Sequence, residues 1–366
     1  MKLFYILPEY SSEISGHFRY NVELLEELSK EMKVYLFIEK GEKPHVKNIQ
    51  HVRVGRFQFL PLRVLERILV FKWARLRGYR RFYSHYGYLS AILAGLICKL
   101  SFGKMYFWHC EMRGNYESSG CTLCHLPAKV SKDWPFRLVL KLCTDLVTCT
   151  EKMREYYISV FCVKRQKIHV VYNWVDTQKL VEEASRRKGK NPTILFVHWL
   201  SPRKGTRILP MIFQLVKQKM PSARLLVAGE GPDMEWLEGE WERNGLTSSV
   251  TMLGAVPNRK INELYGRSHV LLHPSREEEF GRVLIEAMAC GLPIVASSTY
   301  GAESILNEKQ KKFVFDYEKP EEGAEMCVKL LKSEEKQKEL SKIGLSHVKK
   351  FDKEVIVRRF LDLFSL

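Results

Sequence analysis

One segment, residues 278–296, constrains the fold of this chain more than any other, because it reads as a turn, a helix and a buried strand in succession. Glu278 precedes a Phe-Gly pair, and Glu286 follows after seven intervening residues. Gly281 predicts the turn that opens the helix, while Gly291 and Pro293 predict its end. An apolar strand follows directly, so the segment indicates one α/β unit.

The predicted turn carries a chemical implication. The first peptide N–H groups of a helix have no acceptor within the helix, so they form a site for an anion. Glu278 lies just before these groups, and Glu286 lies about two helical turns inside the helix. Backbone amides for a diphosphate and carboxylates for hydroxyl groups on either side are what a nucleoside diphosphate sugar requires.

The length and the pattern of the chain predict two domains. A chain of 366 residues exceeds one ordinary core, and short apolar strands alternate with amphipathic helices throughout. This alternation is typical of a parallel sheet covered on both faces. We predict an N-terminal domain of residues 1–180 and 351–366, a linker at 181–190 that is charged and poor in apolar residues, and a C-terminal domain of 191–350.

The charge is unevenly distributed. The formal net charge is +17, and residues 1–180 hold 29 Lys and Arg against 16 Asp and Glu, whereas residues 181–366 hold 30 against 26. A basic first half indicates a negatively charged partner, and nucleic acid and anionic membrane are the two classes to separate.

Residues 56–81 concentrate this basic excess. At helical spacing one face is apolar, and cations that include Arg63, Arg67, Arg77 and Arg81 gather beside it; the face consists of Leu62, Leu65, Leu69, Trp73 and Leu76. Such a helix is typical of a membrane interface, where Trp73 and the leucines would enter the lipid boundary. The same face would also suit packing on the sheet, and the sequence leaves both readings open.

The sequence shows no stretch long enough to span a membrane, and its start reads as a first buried strand instead of a signal peptide. We therefore expect a cytoplasmic protein that is peripheral on the inner face of the membrane. Nine cysteines scattered along the chain favour reduced thiols over a disulfide framework. The oligomeric state stays open.

The segment at 278–296 resembles the donor-site signature of the retaining GT-B glycosyltransferases of family four (glycosyl transferases group 1). The shared features are the spacing of the two glutamates, Phe-Gly after the first, and Ala-Met-Ala-x-Gly-x-Pro-Ile-Val-Ala after the second. The resemblance implies two Rossmann-like doubly wound domains that face each other across a deep cleft, with a C-terminal helix that crosses back to the N-terminal domain.

The resemblance also implies a donor site. Lys204 matches the family lysine that grips the diphosphate, Trp199 stands where the family has an arginine, and Arg203 is the expected substitute. Glu278, His109 and Lys204 are the candidate catalytic residues. The donor-binding candidates are Gly16, Arg203, Lys204, Glu278, Phe280, Gly281, Arg282, Val283 and Glu286, and the base-binding loop is Gly254, Ala255 and Val256.

Three histidines are candidates for the acceptor side. His85 and His109 end predicted strands, at the edge where open α/β sheets bind ligands, and His17 follows the glycine of the first loop. No metal or other cofactor is required, because helix N-termini and Lys204 are able to neutralise the leaving diphosphate. Zinc ligation by Cys121 and Cys124 is not part of the expected activity.

The sequence therefore predicts a retaining glycosyltransferase that moves a sugar from a UDP- or GDP-sugar to a glycan or lipid-linked acceptor in cell-surface polysaccharide or glycolipid biosynthesis. A nucleotide-sugar epimerase or a glycan phosphorylase of the same architecture is the alternative. A nucleic-acid-binding protein would explain the basic charge but not the donor-site segment, so nucleic acid is not an expected partner.

Overall fold

The computed structural model describes residues 1–11, 16–112, 127–183 and 190–365. These form two compact units, one of Met1–Val171 with Val357–Leu366 and one of Tyr172–Ile356. Each unit has its own sheet.

The first unit is built on seven strands: β1 (Lys2–Leu7), β2 (Lys33–Ile38), β3 (His51–Val54), β4 (Arg81–His85), β5 (Lys104–Trp108), β6 (Asp145–Thr148) and β7 (Ile168–Val170). All pair in parallel, in the order β3-β2-β1-β4-β5-β6-β7. The helices are α1 (Gly16–Leu28), α2 (Leu60–Leu76), α3 (Tyr88–Leu100), α4 (Pro127–Leu142) and α5 (Glu151–Phe161).

The second unit has six strands: β8 (Thr193–Val197), β9 (Arg224–Ala228), β10 (Val250–Met252), β11 (Val270–His273), β12 (Ile294–Ser297) and β13 (Val314–Phe315). They are also parallel, in the order β10-β9-β8-β11-β12-β13. The helices are α6 (Thr177–Glu183), α7 (Leu209–Lys219), α8 (Met234–Arg243), α9 (Asn258–Arg267), α10 (Arg282–Ala289), α11 (Tyr300–Ile305), α12 (Pro320–Leu331) and α13 (Glu334–His347), and α14 (Lys353–Ser365) begins in this unit and ends in the first. The predicted fold class, two doubly wound α/β domains, is confirmed.

The end of α14 belongs to the core of the first unit. Phe364 is fully buried, with its ring 5.7 Å from that of Tyr83 and 5.3 Å from that of Tyr106. Tyr106 also donates a hydrogen bond to the carbonyl of Leu363 at 3.3 Å. The apolar spacing along the last segment therefore marks a core-forming face, as predicted.

The boundary between the units differs from the predicted linker at 181–190, of which residues 184–189 lie outside the described part. The second unit already begins at Tyr172. The reason is that the segment before α6 is bound to residues near the end of the second unit. Lys353 binds Asp176 at 2.8 Å, and the backbone of Val175 pairs with that of Asp352.

One expectation about the cysteines was wrong. Cys110 and Cys149 form a disulfide, whereas we expected reduced thiols throughout. The two residues follow the neighbouring parallel strands β5 and β6, so the topology places them side by side. The other cysteines within the described ranges, which form no disulfide, are Cys98, Cys143, Cys162, Cys290 and Cys327.

A close approach of two loops organises the second unit at the carboxyl ends of β8 and β11. Gly205 has φ +81°, and a Cβ atom there would lie 1.7 Å from the carbonyl oxygen of Pro274. The backbone of Arg276 donates to the carbonyl of Arg203 at 2.9 Å in the same region. Only glycine fits at 205, because both its conformation and its surroundings exclude a side chain.

We expect Gly205→Ala to destabilise the second unit by well over ~2 kcal/mol and to separate the two loops. Gly245→Ala is the matched control, since Gly245 has φ +64° but no atom lies within 4 Å of the position that a Cβ would take, so it should cost only roughly 1–2 kcal/mol. Chemical denaturation of both variants measures the difference. Equal losses would mean that the contact with Pro274 is unimportant.

Phe364→Ala should destabilise the first unit by about 3–5 kcal/mol, because it removes a fully buried ring between two tyrosines. Val355→Ala, an exposed apolar position on the same helix, should change the free energy of unfolding little. Urea titrations followed by tyrosine and tryptophan fluorescence would compare them, and a loss below about 1 kcal/mol for Phe364→Ala would contradict the packing argument.

Candidate functional site

The candidate donor site lies in the second unit, at the carboxyl ends of β8 and β11. These adjacent strands mark the point where the strand order reverses, which is where open α/β sheets bind ligands. A short 3₁₀ turn, Pro202–Lys204, follows β8, and the acidic loop of residues 274–281 follows β11 and leads into α10.

An ion pair joins the two loops. Lys204 Nζ lies 2.6 Å from Glu278 Oε2, and both side chains are largely buried. Arg203 beside it contacts two other carboxylates, Glu279 at 2.5 Å and Glu277 at 3.4 Å. Sequence reasoning selected Arg203, Lys204 and Glu278, and the fold brings them together. Arg203 holds the acidic loop, and its contact with a phosphate stays a prediction.

The electrostatics favour an ionised Glu278. Burial opposes its ionisation, but the positive charge and hydrogen bond of Lys204 outweigh burial and hold the pKa of Glu278 below its usual value. At Glu277 burial is the stronger effect, and it raises the pKa of this carboxyl although Arg203 lowers it. The carboxylate that faces the interior of the site is therefore charged and paired at neutral pH.

Glu286 is held by residues of two helices. Tyr265 on α9 donates a hydrogen bond to Glu286 Oε2 at 3.0 Å, and Arg282 Nε lies 3.5 Å from Oε1. Tyr265 was not predicted from the sequence, because nothing in the sequence distinguishes it from the other residues on the apolar face of α9. The hydroxyl fixes the carboxylate at one edge of the site.

The turn into α10 has the geometry that the sequence predicted. Gly281 adopts φ +82°, and α10 begins at Arg282 and continues through Val283. Phe280 is buried, with its ring 6.5 Å from that of Tyr172 and 6.1 Å from that of Phe351. The Phe280 side chain therefore anchors the turn, and only its backbone is available to a ligand.

The predicted base-binding loop follows β10. Gly254 adopts φ +63°, and its carbonyl accepts a hydrogen bond from the N–H of Gly229 at 2.8 Å. Ala255 is exposed and Val256 is half-buried. The loop thus lies at the same carboxyl edge of the sheet as the ion pair, while its contact with a base stays a prediction.

Two histidines that sequence reasoning missed lie beside the ion pair. His198 follows β8 and His273 ends β11, and His198 Nε2 lies 2.9 Å from His273 Nδ1. His273 Nε2 is 4.0 Å from Glu278 Oε2, and Ser275 Oγ is 3.3 Å from His198 Nε2. Their positions at adjacent strand ends were a usable signal, because parallel neighbours end at the same edge.

Ligand atoms of His198, His273 and Glu278 lie within 4.8 Å of one another, which is a spacing that metal sites show. Lys204 already places an ammonium group 2.6 Å from the same carboxylate oxygen. A metal ion bound there would face this positive charge at close range. We therefore assign no metal to the cluster.

The histidines of the first unit are enclosed. His109 has no exposed surface, with Tyr157 Oη 2.7 Å from Nδ1 and Tyr88 Oη 3.0 Å from Nε2. His85 is buried against Trp108, with the rings stacked at 4.0 Å. Contrary to expectation, neither side chain is presented at a surface, because aromatic neighbours close over both. A sugar contact by His109 requires these neighbours to move and stays a prediction.

Gly16 begins α1, and the residues just before it lie outside the described part, as does the side chain of His17. Cys121 and Cys124 also lie outside it, so the zinc question is not addressed by the structure.

The apolar face of α2 is turned outward. Leu69 is 59% exposed and Leu76 is 88% exposed, and Leu62, Leu65 and Trp73 are also exposed. Together with Phe57 they line a groove of about 770 Å³. Packing of this face on the sheet, the alternative that the sequence left open, is therefore excluded.

Two charged residues, Glu66 and Arg67, share the inward side of α2 with the buried apolar residues Val70, Phe71 and Ala74. Arg67 is 2% exposed and binds Glu39 at 2.7 Å, while Glu66 binds Arg53 at 3.1 Å. The prediction that Arg67 contacts a membrane was wrong, because its guanidinium is committed to this buried pair. Arg81 was also misplaced, since it begins β4 and is not on the helix.

The cations that remain near the exposed face are few and accessible. Arg77 caps α2, with its guanidinium 5.4 Å from the ring of Trp73, and Arg56, Lys72 and Arg80 are exposed. Arg63 is half-buried. None of the helices in the described ranges is long and apolar enough to cross a membrane.

Curated proteins with similar sequences match a part of this chain. The gpi3 subunit of phosphatidylinositol N-acetylglucosaminyltransferase from Schizosaccharomyces pombe is 27% identical over 177 residues, which are 48% of this chain and 38% of that protein. D-inositol 3-phosphate glycosyltransferase from Segniliparus rotundus is 30% identical over 217 residues, which are 56% of this chain and 48% of that protein. The chain thus matches less than half the length of these relatives.

Solved structures match over the whole chain. HepE from Anabaena, determined with UDP and glucose, has a TM-score of 0.76 at 17% identity and covers 100% of this chain and 99% of that one. WaaG, a glycosyltransferase involved in lipopolysaccharide biosynthesis, has a TM-score of 0.69 at 15% identity, with 99% of each chain covered. At these identities the likeness shows the fold.

Two family models match adjoining parts of the sequence. The model described as Glycosyltransferase Family 4 matches residues 14–179, and the one described as Glycosyl transferases group 1 matches residues 178–347. Since the two matches together take in nearly all of the chain and the fold agrees, this protein belongs to the group 1 glycosyltransferases of family four, with the GT-B fold.

Proposed function

We propose that this protein is a retaining glycosyltransferase that moves a sugar from a nucleoside diphosphate sugar to an acceptor at a membrane surface. The Lys204–Glu278 pair beside the turn into α10 is the observation that supports it most. A cation and helix N–H groups suit a diphosphate, and a buried ionised carboxylate suits sugar hydroxyls.

The donor class has further support. Glu286, fixed by Tyr265, is available for ribose hydroxyls, while Lys204 stabilises the negative charge that develops on the leaving diphosphate. The structural neighbour HepE was determined with UDP and with UDP-glucose. Retention of the anomeric configuration is inferred from the family.

The acceptor is inferred from α2. This helix exposes an apolar face with a tryptophan to solvent, beside exposed cations, while its other side is buried. An exposed apolar patch of this kind marks an interaction site, and the cations favour anionic headgroups by about 1 kcal/mol each. The relatives named above include a phosphatidylinositol N-acetylglucosaminyltransferase subunit, which acts in an enzyme whose name specifies a lipid acceptor.

A panel of UDP- and GDP-sugars tests the function directly. At least one should raise the melting temperature and be consumed when a membrane lipid extract supplies the acceptor, and NMR of the product should show a retained anomeric configuration. Nucleotide sugar consumption without a transferred sugar would support an epimerase instead. Failure of every nucleotide sugar to bind would contradict the proposal.

The two carboxylates should separate binding from turnover. Glu278→Gln should lower turnover by well over tenfold and should not weaken UDP, because it removes a sugar contact and the carboxylate that competes with the diphosphate for Lys204. Glu286→Gln should instead weaken UDP itself. Steady-state kinetics with calorimetric UDP titrations would measure both, and equal losses of UDP affinity would contradict this division of roles.

Binding to anionic vesicles tests the surface on α2. The wild type should sediment with vesicles that contain phosphatidylglycerol, should release as salt rises, and should ignore phosphatidylcholine vesicles. Changing Arg56, Lys72, Arg77 and Arg80 to Gln should abolish sedimentation, and these four are exposed, so the melting temperature should change little.

A charge-matched control separates this surface from net charge. Changing Lys332, Lys336, Lys338 and Lys342 of the second unit to Gln removes the same charge from other exposed positions and should leave sedimentation intact. Equal loss in both variants would mean that total charge, and not α2, drives binding.

A further inference from the structure

We propose that His273, oriented by His198, takes up one proton when a donor diphosphate draws Lys204 away from Glu278, and then replaces Lys204 as the partner of that carboxylate. The inference rests on the proposed function, because the diphosphate is what displaces Lys204. It gives His273 the role of a positioning residue that keeps Glu278 ionised and in place during donor binding.

The starting point is a conflict in the site. Lys204 is the expected diphosphate ligand, yet its ammonium is already 2.6 Å from Glu278 Oε2. Movement of Lys204 to a phosphate would leave a buried carboxylate without its cation, which is a costly state. Arg203 does not relieve this cost, because Glu277 and Glu279 already bind it.

His273 is placed to relieve it. Its ring is fully buried, and Nε2 faces Glu278 Oε2 at 4.0 Å. This nitrogen has no hydrogen-bond partner among the residues that the structure describes. The 4.0 Å gap is too long for a hydrogen bond, as expected when an unprotonated nitrogen and a carboxylate oxygen, both acceptors, face each other.

His198 fixes which nitrogen accepts the proton. His273 Nδ1 and His198 Nε2 lie 2.9 Å apart, and because Nε2 makes no hydrogen bond to Glu278, we assign the neutral ring of His273 its hydrogen on Nδ1, from which it donates to His198 Nε2. A second proton on His273 therefore goes to Nε2, toward Glu278. It comes from solvent, no covalent bond to carbon changes, and the charge of the protein rises by one as the diphosphate binds.

The charges around the imidazole set the direction of the effect. The groups that face it are His198 after β8, Lys204 in the 3₁₀ turn, Glu278 and Ser275 in the acidic loop, and Ser297 on β12, whose hydroxyl contacts the carbonyl of His273. Arg203 influences His273 only indirectly, because it helps to lower the pKa of Glu278. Burial lowers the pKa of His273 to about 4, Glu278 raises it, and Lys204 lowers it.

Burial and the positive charge of Lys204 both keep His273 neutral, and the departure of Lys204 removes the second of these. The negative charge of Glu278, which favours the protonated ring, remains. The pKa of His273 is therefore higher in the donor complex than in the free protein. Between these two pKa values each binding event takes up a proton, so donor affinity rises as the pH falls, by at most about tenfold per pH unit.

Calorimetric titration with UDP-glucose and with GDP-mannose measures this proton. Both phosphates of these probes are esterified, so the probes themselves do not titrate near neutrality. Titrations at several pH values above about 4, each in buffers of different ionisation enthalpy, should show net proton uptake on donor binding, and affinity should rise as the pH is lowered toward that value.

Three variants separate the proposal from a structural role for the histidines. His273→Gln should lose both the uptake and the pH dependence. Lys204→Ala leaves both histidines in place but removes the trigger, so the uptake should also vanish, and this variant keeps the test available if His273→Gln does not fold. His347→Gln is the control, because His347 is a histidine of the same unit whose pKa is also lowered, and the uptake should persist.

The outcomes distinguish the two proposals. Donor binding without proton uptake, or uptake that persists in His273→Gln, would overturn the partner exchange and leave the glycosyltransferase proposal intact. If the wild type binds no nucleotide sugar at all, the proposed function itself fails, and the exchange fails with it.

Discussion

The ion pair between Lys204 and Glu278 is the interaction on which the candidate site depends. It joins the loops that follow β8 and β11, two strands that are adjacent in space but far apart in the sequence. The contact exists because Gly205 allows its loop to approach Pro274 more closely than any side chain would permit. A backbone constraint thus sets the electrostatics of the site.

That pair also explains why the neighbouring groups are arranged as they are. Three consecutive carboxylates would repel one another at this edge of the sheet, and Arg203 and Lys204 divide them between two cations. The result is a loop whose carboxylates are paired without a ligand. Under the proposed function, a diphosphate would compete with these carboxylates for the cations, so its binding would rearrange charge in addition to adding contacts.

The first unit uses ion pairs for another purpose. Arg67–Glu39 and Arg53–Glu66 lie on the inward side of α2, beside the buried Val70, Phe71 and Ala74. The leucines and Trp73 lie on the other side of the helix and are exposed. Helical periodicity alone does not reveal this orientation, because an apolar stripe reads the same whether it faces a sheet or a lipid surface.

The sequence determined the fold class and predicted the loops that form the candidate donor site. Local patterns suffice for this: apolar runs of strand length predict the sheets, and the glutamates around Gly281 predict the turn and the helix regardless of what packs on them. Helix α4 and the short strands β3 and β13 were not predicted, since α4 contains Pro135 and the strands are too short to show a periodicity.

Only the tertiary structure decided which side of α2 is exposed, that Arg67 is buried, and that His85 and His109 are enclosed by aromatic rings. It alone brought His198 next to His273, and Tyr265 next to Glu286. Each of these facts depends on contacts between residues that are distant in the chain. Local sequence fixes what a residue is able to do, whereas the packing of separate elements fixes which partner it meets.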